Sequence, residues 1–262
     1  DSGLGGLSTV RAIKSLMPNE DIVYFGDTGR VPYGTRSNET IETYTAQDIK
    51  FLERHSCKMI VVACGTVSTV ASGIIDKLSE PATGIAKPSA AAAAKATKNG
   101  KIGIMGTSAT VNSGVFESEI RRINPEAETV AVACPLLVSL VENNWIAEDD
   151  EVTLAAVKRY LKPITDAGCD TVILGCTHFP LLIPIISKIT GEGVMLIDSG
   201  LEEAKHVKRV LEENSIENSA SRKGEYKYFV SDRPQNFYTA ANTLLGEDIS
   251  AECEFVDIFK FI

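Results

Sequence analysis

Two ten-residue segments of this chain run in register: Cys57-Lys-Met-Ile-Val-Val-Ala-Cys64-Gly65-Thr66 and Cys169-Asp-Thr-Val-Ile-Leu-Gly-Cys176-Thr177-His178. Each reads as a buried strand that ends on a cysteine. The outer and inner cysteines are both offset by 112 positions (169 − 57 and 176 − 64), so the chain reads as an internal duplication with one strand-end thiol per half. If the halves face each other, two thiols meet across one cleft. A pair of thiols on opposite sides of a small substrate can take a proton from one face and return one to the other. Inverting a carbon centre requires this, so racemase or epimerase chemistry is the first expectation.

The rest of the chain agrees with a soluble α/β enzyme. Its 262 residues can bury one large core or two ordinary ones. Short apolar runs at 22–25, 59–63, 101–105, 129–133, 171–174, 194–197 and 226–230 read as strands. Segments of helical length at 37–54, 88–98, 150–166 and 201–214 lie between most of them. That alternation predicts βαβ units: an α/β fold of two pseudo-symmetric domains, each a mainly parallel sheet flanked by helices. Ligands of such sheets sit beyond the carboxyl ends of the strands, where Cys64 and Cys176 are placed.

The alanine-rich run 90–94, stopped by Asn99-Gly100, sets a domain boundary near residue 98. The polar stretch 214–224 reads as a crossing between domains. We therefore expect a first domain of residues 1–98 plus 215–262 and a second of 99–214, with the active site in the cleft between them.

Composition narrows the partners. The formal net charge is −9 with scattered Lys and Arg, so no basic face is available to track phosphates and nucleic acid is not expected. No apolar run approaches the ~20 residues of a bilayer span, so no membrane partner is expected either. Six cysteines without any C-x-x-C spacing and without a secretory signal are read as reduced and cytoplasmic, and no metal site is expected.

A free thiol titrates near ~8.5, so a cysteine base needs a helix N-terminus, a histidine or a stabilising cleft. Cysteine is among the most frequently buried residues, and a single strand-end cysteine would be read as packing. The matched pair with polar neighbours reverses that preference for Cys64 and Cys176. Cys57, Cys169, Cys134 and Cys253 lack such neighbours and are read as packing residues. His178 adjoins Cys176 and titrates near working pH; His55 and His206 carry no role.

Asp1-Ser2-Gly3-Leu4-Gly5-Gly6 offers a carboxylate, a hydroxyl and amides at a helix start, though it is neither a dinucleotide nor a phosphate loop. Asp1-Ser2-Gly3 recurs as Asp198-Ser199-Gly200, which follows an apolar run. The strand that should precede Asp1 is missing from the given sequence: either the chain has lost it or this edge of the sheet is built differently, and Asp1 is expected to lack that support. The segments 26–34 and 103–110 read as loop and strand-to-helix turn at the carboxyl edge.

These residues, with Val31-Pro32-Tyr33-Gly34, Ala133-Cys134-Pro135-Leu136 and Leu174-Gly175-Cys176-Thr177-His178-Phe179-Pro180-Leu181-Leu182, resemble in order and spacing the glutamate racemases of the cofactor-independent aspartate/glutamate racemase superfamily. The resemblance extends over nearly the whole chain. It implies interconversion of L- and D-glutamate for peptidoglycan, without cofactor or metal. It also implies glutamate as the small-molecule partner, and it leaves a homodimer open.

Carried over by position, Cys64 would take the α-proton of D-glutamate and Cys176 that of L-glutamate. Asp1 would assist Cys64, and His178 with Glu142 would assist Cys176. Substrate contacts would come from Asp1, Ser2, Tyr33, Gly34, Thr66, Thr177 and His178, with Thr107 and Thr110 added. The family usually carries Asn after the first cysteine. Gly65 stands there instead, leaving only a backbone contact and an altered substrate preference to expect. Aspartate and hydantoin racemases are the near alternatives. Arylmalonate decarboxylases resemble the chain with one cysteine of the two. A weakly catalytic protein that binds a basic partner is the alternative from another class.

Overall fold

Strands form where β-branched apolar runs are bounded by turn residues, and helices where the apolar positions space themselves at three and four. The computed structural model describes residues 1–261. In chain order its elements are α1 (Leu7–Leu16), β1 (Ile22–Gly26), α2 (Asn38–Leu52), β2 (Ile60–Val62), α3 (Gly65–Val70), α4 (Ser72–Ile75), β3 (Ala82–Gly84), α5 (Ala86–Ala96), β4 (Lys101–Gly106), α6 (Ser108–Ser113), α7 (Val115–Ile123), β5 (Glu128–Ala133), α8 (Pro135–Glu142), α9 (Glu151–Asp166), β6 (Thr171–Leu174), α10 (Ile183–Thr190), β7 (Met195–Asp198), α11 (Ser199–Asn214), β8 (Tyr226–Val230), α12 (Pro234–Leu245) and β9 (Cys253–Phe255). All seven strand runs read from sequence are present. The two short strands β3 and β9 were not foreseen, because three residues are too few to show a period.

Every strand pair among the described residues is parallel. One sheet has the order β5-β4-β6-β7, a second β1-β8-β9, and a third pairs β2 with β3. The tail strands thus join β1, more than 190 residues earlier in the chain. Parallel sheets survive when both faces are covered, and the four-stranded sheet shows how. Met105, Val172 and Leu174 pack under α8, α9 and α10 on one face, while Ile102, Ile104 and Ile173 pack under α5 and α7 on the other. The alanine-rich helix α5 was expected to close the first half. Its Ala86, Ala90 and Ala93 lie on the four-stranded sheet against Phe116 and Ile120. The run of small side chains lets that helix approach closely.

Cys134 and Cys169 are buried in this core, and burial pushes the Cys134 thiol up to about 12. Asp170, beside Cys169, clamps the connection from α5 to β4. Its carboxylate accepts hydrogen bonds from the amides of Lys98 and Asn99 and from the hydroxyls of Thr97 and Thr171. Burial raises the pKa of this carboxyl, but those four donors outweigh the effect and leave it lowered.

The repeated Asp-Ser-Gly triplets fold alike: Asp1 Oδ1 accepts from Gly3 N and Asp198 Oδ1 from Gly200 N, both at 2.9 Å. The helices that follow them, α1 and α11, pack against each other through Ile13, Met17, Ala204, Val207 and Leu211. Asp1 is not without support, because it lies in parallel register beside β1: its amino group donates to Phe25 O and its carbonyl accepts from Asp27 N. Residues of β1 and β2, with Asp1, line a cavity of about 560 Å³ that neither Cys64 nor Cys176 lines.

Asp170→Ala removes a charged acceptor of four hydrogen bonds, each worth about 1.5–3 kcal/mol in isolation and less in a shared cluster. Urea denaturation is expected to show a loss of about 1–3 kcal/mol. The wild-type advantage, carried by a depressed carboxyl pKa, should be present above pH ~4 and fade as pH falls below it.

Candidate active site

The two sheets that carry the duplicated segment end alike. β2 stops at Val62 and β6 at Leu174, and each cysteine follows two residues later. Cys64 then caps α3, whereas Cys176 opens a tight turn: Phe179 N donates to Cys176 O, and a 3-10 turn covers Phe179–Leu182 before α10 begins. The helix start expected after both cysteines is therefore present only after the first. Pro180 and the flanking large apolar side chains Phe179 and Leu182, both fully buried, hold the second turn against the core.

Both thiols open into one cleft of about 320 Å³. It is lined from the amino-terminal half by Ser2, 31–35, Cys64 and Thr66, and from the other half by Thr107, Cys176, Thr177, His178 and four residues of α8. Neither lysine nor arginine lines it. Its polar surface is hydroxyl groups, backbone and one imidazole, and its volume is at the small end for ligand cavities.

The second thiol has a developed support. His178 Nδ1 lies 3.6 Å from Cys176 Sγ, and its Nε2 lies 2.6 Å from Glu142 Oε1. Burial by itself would lower the pKa of this imidazole. The hydrogen bonds and charges of Cys176 and Glu142 prevail, and lift it to about 10. His178 is thus an imidazolium at neutral pH, donating from both nitrogens. Glu142 reaches it from the last turn of α8, a helix started by Pro135 at its first position.

The first thiol is supported differently. Cys64 Sγ is 3.4 Å from Ser2 Oγ. Asp1, expected to assist Cys64, directs its carboxylate elsewhere: Oδ2 accepts from Thr177 Oγ1 at 3.3 Å, and Oδ1 from Gly3 N. Asp1 meets the second half of the site and does not line the cavity.

Three buried hydroxyls form a chain, Thr66 Oγ1 to Thr107 Oγ1 to Thr110 Oγ1, each step 2.9 Å. Thr66 and Thr107 face the cleft; Thr110 stands behind them and outside its lining, as do Gly65 and Glu142. Tyr33 lines the cleft with its ring, but its phenol turns away, hydrogen-bonded to Asp27 and Asp48. Arg30 binds Asp27 at 2.5 Å and Asp48 at 2.8 Å. Burial, together with the charge of Asp27, raises the Asp48 carboxyl pKa. This buried network fixes the 31–35 loop over the site. Asp48 was not foreseen, since its position on α2 looks solvent-facing in the sequence. Nor was the contribution of Leu136, Val138 and Ser139 to the wall.

The matched thiols, the cleft and the fold can be set beside known proteins. Residues 7–207 match the profile of Asp/Glu/hydantoin racemases. The chain belongs to that racemase family. A glutamate racemase of Geobacter metallireducens is 43% identical over 247 residues, 94% of this chain and 91% of the relative. Among solved structures, a glutamate racemase of Bacillus anthracis superposes with a TM-score of 0.94 at 36% identity, covering 98% of this chain and 95% of that one. The Francisella tularensis glutamate racemase in complex with D-glutamate gives 0.91 at 33% identity, covering 100% and 97%. In this chain the cleft is lined by a cysteine from each half, with His178 beside one of them.

The raised His178 pKa has a stability consequence with a definite sign. An imidazole whose folded pKa, about 10, exceeds the unfolded ~6.5 stabilises the fold fully below pH ~6.5 and loses that contribution as pH rises through about 10. Urea midpoints of wild type against His178→Gln should differ most below pH ~6.5 and converge toward pH ~10. A gap that widens with pH would contradict the ion-pair assignment.

Proposed function

We propose that this chain is a glutamate racemase that interconverts L- and D-glutamate at a two-thiol site. The observation that carries the reading is that Cys64 and Cys176, one from each half of the duplication, line the same 320 Å³ cleft. In one direction the Cys64 thiolate takes the α-proton of D-glutamate. The electron pair stays on the α-carbon as a carbanion, and the Cys176 thiol gives its proton to the opposite face, leaving L-glutamate and a Cys176 thiolate. The other direction runs the same steps from Cys176.

Glu142 holds the His178 ring, and His178 in turn orients Cys176 and stabilises its thiolate through Nδ1–H. Ser2 Oγ does so for Cys64 on the other face, and Asp1 acts from behind by holding Thr177 in place. The substrate carboxylates would be met by hydroxyls and amides at Thr66, Thr107, Thr177 and Gly34. Preorganised donors of that kind offset developing carbanion charge without reorganising during the step.

The same reading places the enzyme in the cytoplasm as a supplier of D-glutamate for peptidoglycan. No helix among the described residues is long and apolar enough to cross a membrane.

Polarimetry on either enantiomer tests the activity, and single substitutions test the assignment. Cys64→Ala and Cys176→Ala are each expected to lower racemisation by a factor of at least ~10²–10⁴, the usual contribution of a positioned acid or base. Cys64→Ala should retain solvent exchange at the α-carbon of L-glutamate only, and Cys176→Ala that of D-glutamate only. Full racemisation by either variant would overturn the two-thiol mechanism.

A further inference from the structure

Two thiols that hand protons to opposite faces of one carbon must stand at a fixed separation, and no residue described so far sets it. Contacts without side chains do. A Cβ built on Gly65 would lie 2.1 Å from the carbonyl oxygen of Gly175, far inside the 3.0 Å below which real Cβ contacts essentially never fall. Gly65 adjoins Cys64 and Gly175 adjoins Cys176, so the backbones of the two cysteine turns touch one residue from each thiol. Gly175 is itself held against β4. Gly175 N donates to Met105 O at 2.8 Å, and a Cβ on Gly175 would itself meet that oxygen at 2.9 Å.

Two more glycines of the amino-terminal half repeat the arrangement at the rim. A Cβ on Gly34 would lie 2.5 Å from Thr107 Cβ, and one on Gly5 would lie 2.2 Å from Thr177 Oγ1 and 2.7 Å from His178 Nδ1. All three partners stand in turns that follow β4 or β6. None of these glycines has a positive φ, so backbone freedom does not explain them, whereas space does. By contrast, Gly73, on α4 in the same half, has nothing within 4 Å of such a Cβ.

We infer that Gly65, with Gly34 and Gly5 beside it, is a positioning residue that sets how closely the two cysteine turns approach, and so the width over which the proton pair is exchanged. The inference rests on the two-thiol reading above. It gives the departure from the family's usual asparagine a steric meaning: any side chain at position 65 must first displace the Gly175 carbonyl, by about 1 Å to reach the 3.0 Å limit. A shift of that size at a reacting centre is enough for a ~10²-fold loss.

The test is alkylation of the full-length protein by N-ethylmaleimide without substrate, followed cysteine by cysteine by mass spectrometry. In Gly65→Ala, Cys64 and Cys176 should react at least about tenfold faster as the cleft is wedged open, while the core thiols Cys134 and Cys169 keep wild-type rates. Gly73→Ala should change nothing. With glutamate, Gly65→Ala should lose about 10–100-fold in kcat for inversion with a smaller change in KM. Its ratio of exchange without inversion to inversion should rise, which a loss of folded protein would not produce.

Wild-type rates at Cys64 and Cys176 in Gly65→Ala would overturn the inference. If all four thiols accelerate together, the variant has unfolded and Gly34→Ala decides. A rise confined to Cys64 and Cys176 there supports the inference; no rise, or a uniform one, overturns it. Because the alkylation uses no substrate, a wild-type protein inert toward glutamate would sink the proposed reaction and leave this geometric result standing.

Discussion

Everything at this site depends on two parallel strands from different sheets delivering their carboxyl ends to the same cleft. β2 and β6 each release the chain two residues before a cysteine. The packing of the surrounding helices turns those two strand ends toward each other. The helices behind the repeated Asp-Ser-Gly triplets, α1 and α11, form the seam between the halves. The side-chain-free contacts at Gly65, Gly34 and Gly5 set how near the halves come. If that seam were displaced, both thiols would remain in their turns but no longer share a substrate.

The duplication supplies the symmetry, and later divergence removes it where chemistry needs the two faces to differ. The Asp-Ser-Gly triplets, offset by 197 positions (198 − 1) and so outside the 112-position repeat, also differ in use: Ser199 donates to Leu174 O inside the fold, while Ser2 meets the Cys64 thiol. Cys176 gains an imidazolium held by Glu142, a partner with no counterpart on the Cys64 side. Asp1 holds Thr177 from behind the cleft lining, so a residue numbered with one half orders the other. A charged donor beside one thiol and a neutral hydroxyl beside the other is an arrangement in which the two half-reactions need not respond alike to pH.

What the sequence made legible follows from what local pattern encodes. The strand runs, the α/β class and both cysteines were readable because a strand's period and a repeat offset of 112 positions lie on the chain itself. The His178 pairing with Cys176 was readable for the same reason, two residues apart. Glu142 came only through the family resemblance, since 36 residues separate it from His178. Asp48 was hidden because its function is to bind Arg30 and Tyr33 across a loop, and nothing local marks a helical aspartate as buried. The direction of the Tyr33 phenol, away from the substrate cleft, is set by that same network. The alanine-rich run announced its helix, but composition does not say which sheet that helix covers. Gly65 was legible as a departure from the family, yet its steric meaning needed the Gly175 carbonyl, 110 residues away in the chain.

The central claim is that each enantiomer loses its proton to one thiol and receives a different proton from the other. Its most direct measurement is the isotope content of both enantiomers during the first few per cent of reaction in deuterium oxide, starting from protiated L-glutamate. The two-thiol account predicts that the D-glutamate formed carries deuterium at the α-carbon while the remaining L-glutamate keeps its protium. Product that retains the substrate's own proton would contradict it, because a single base would then have carried that proton from one face to the other.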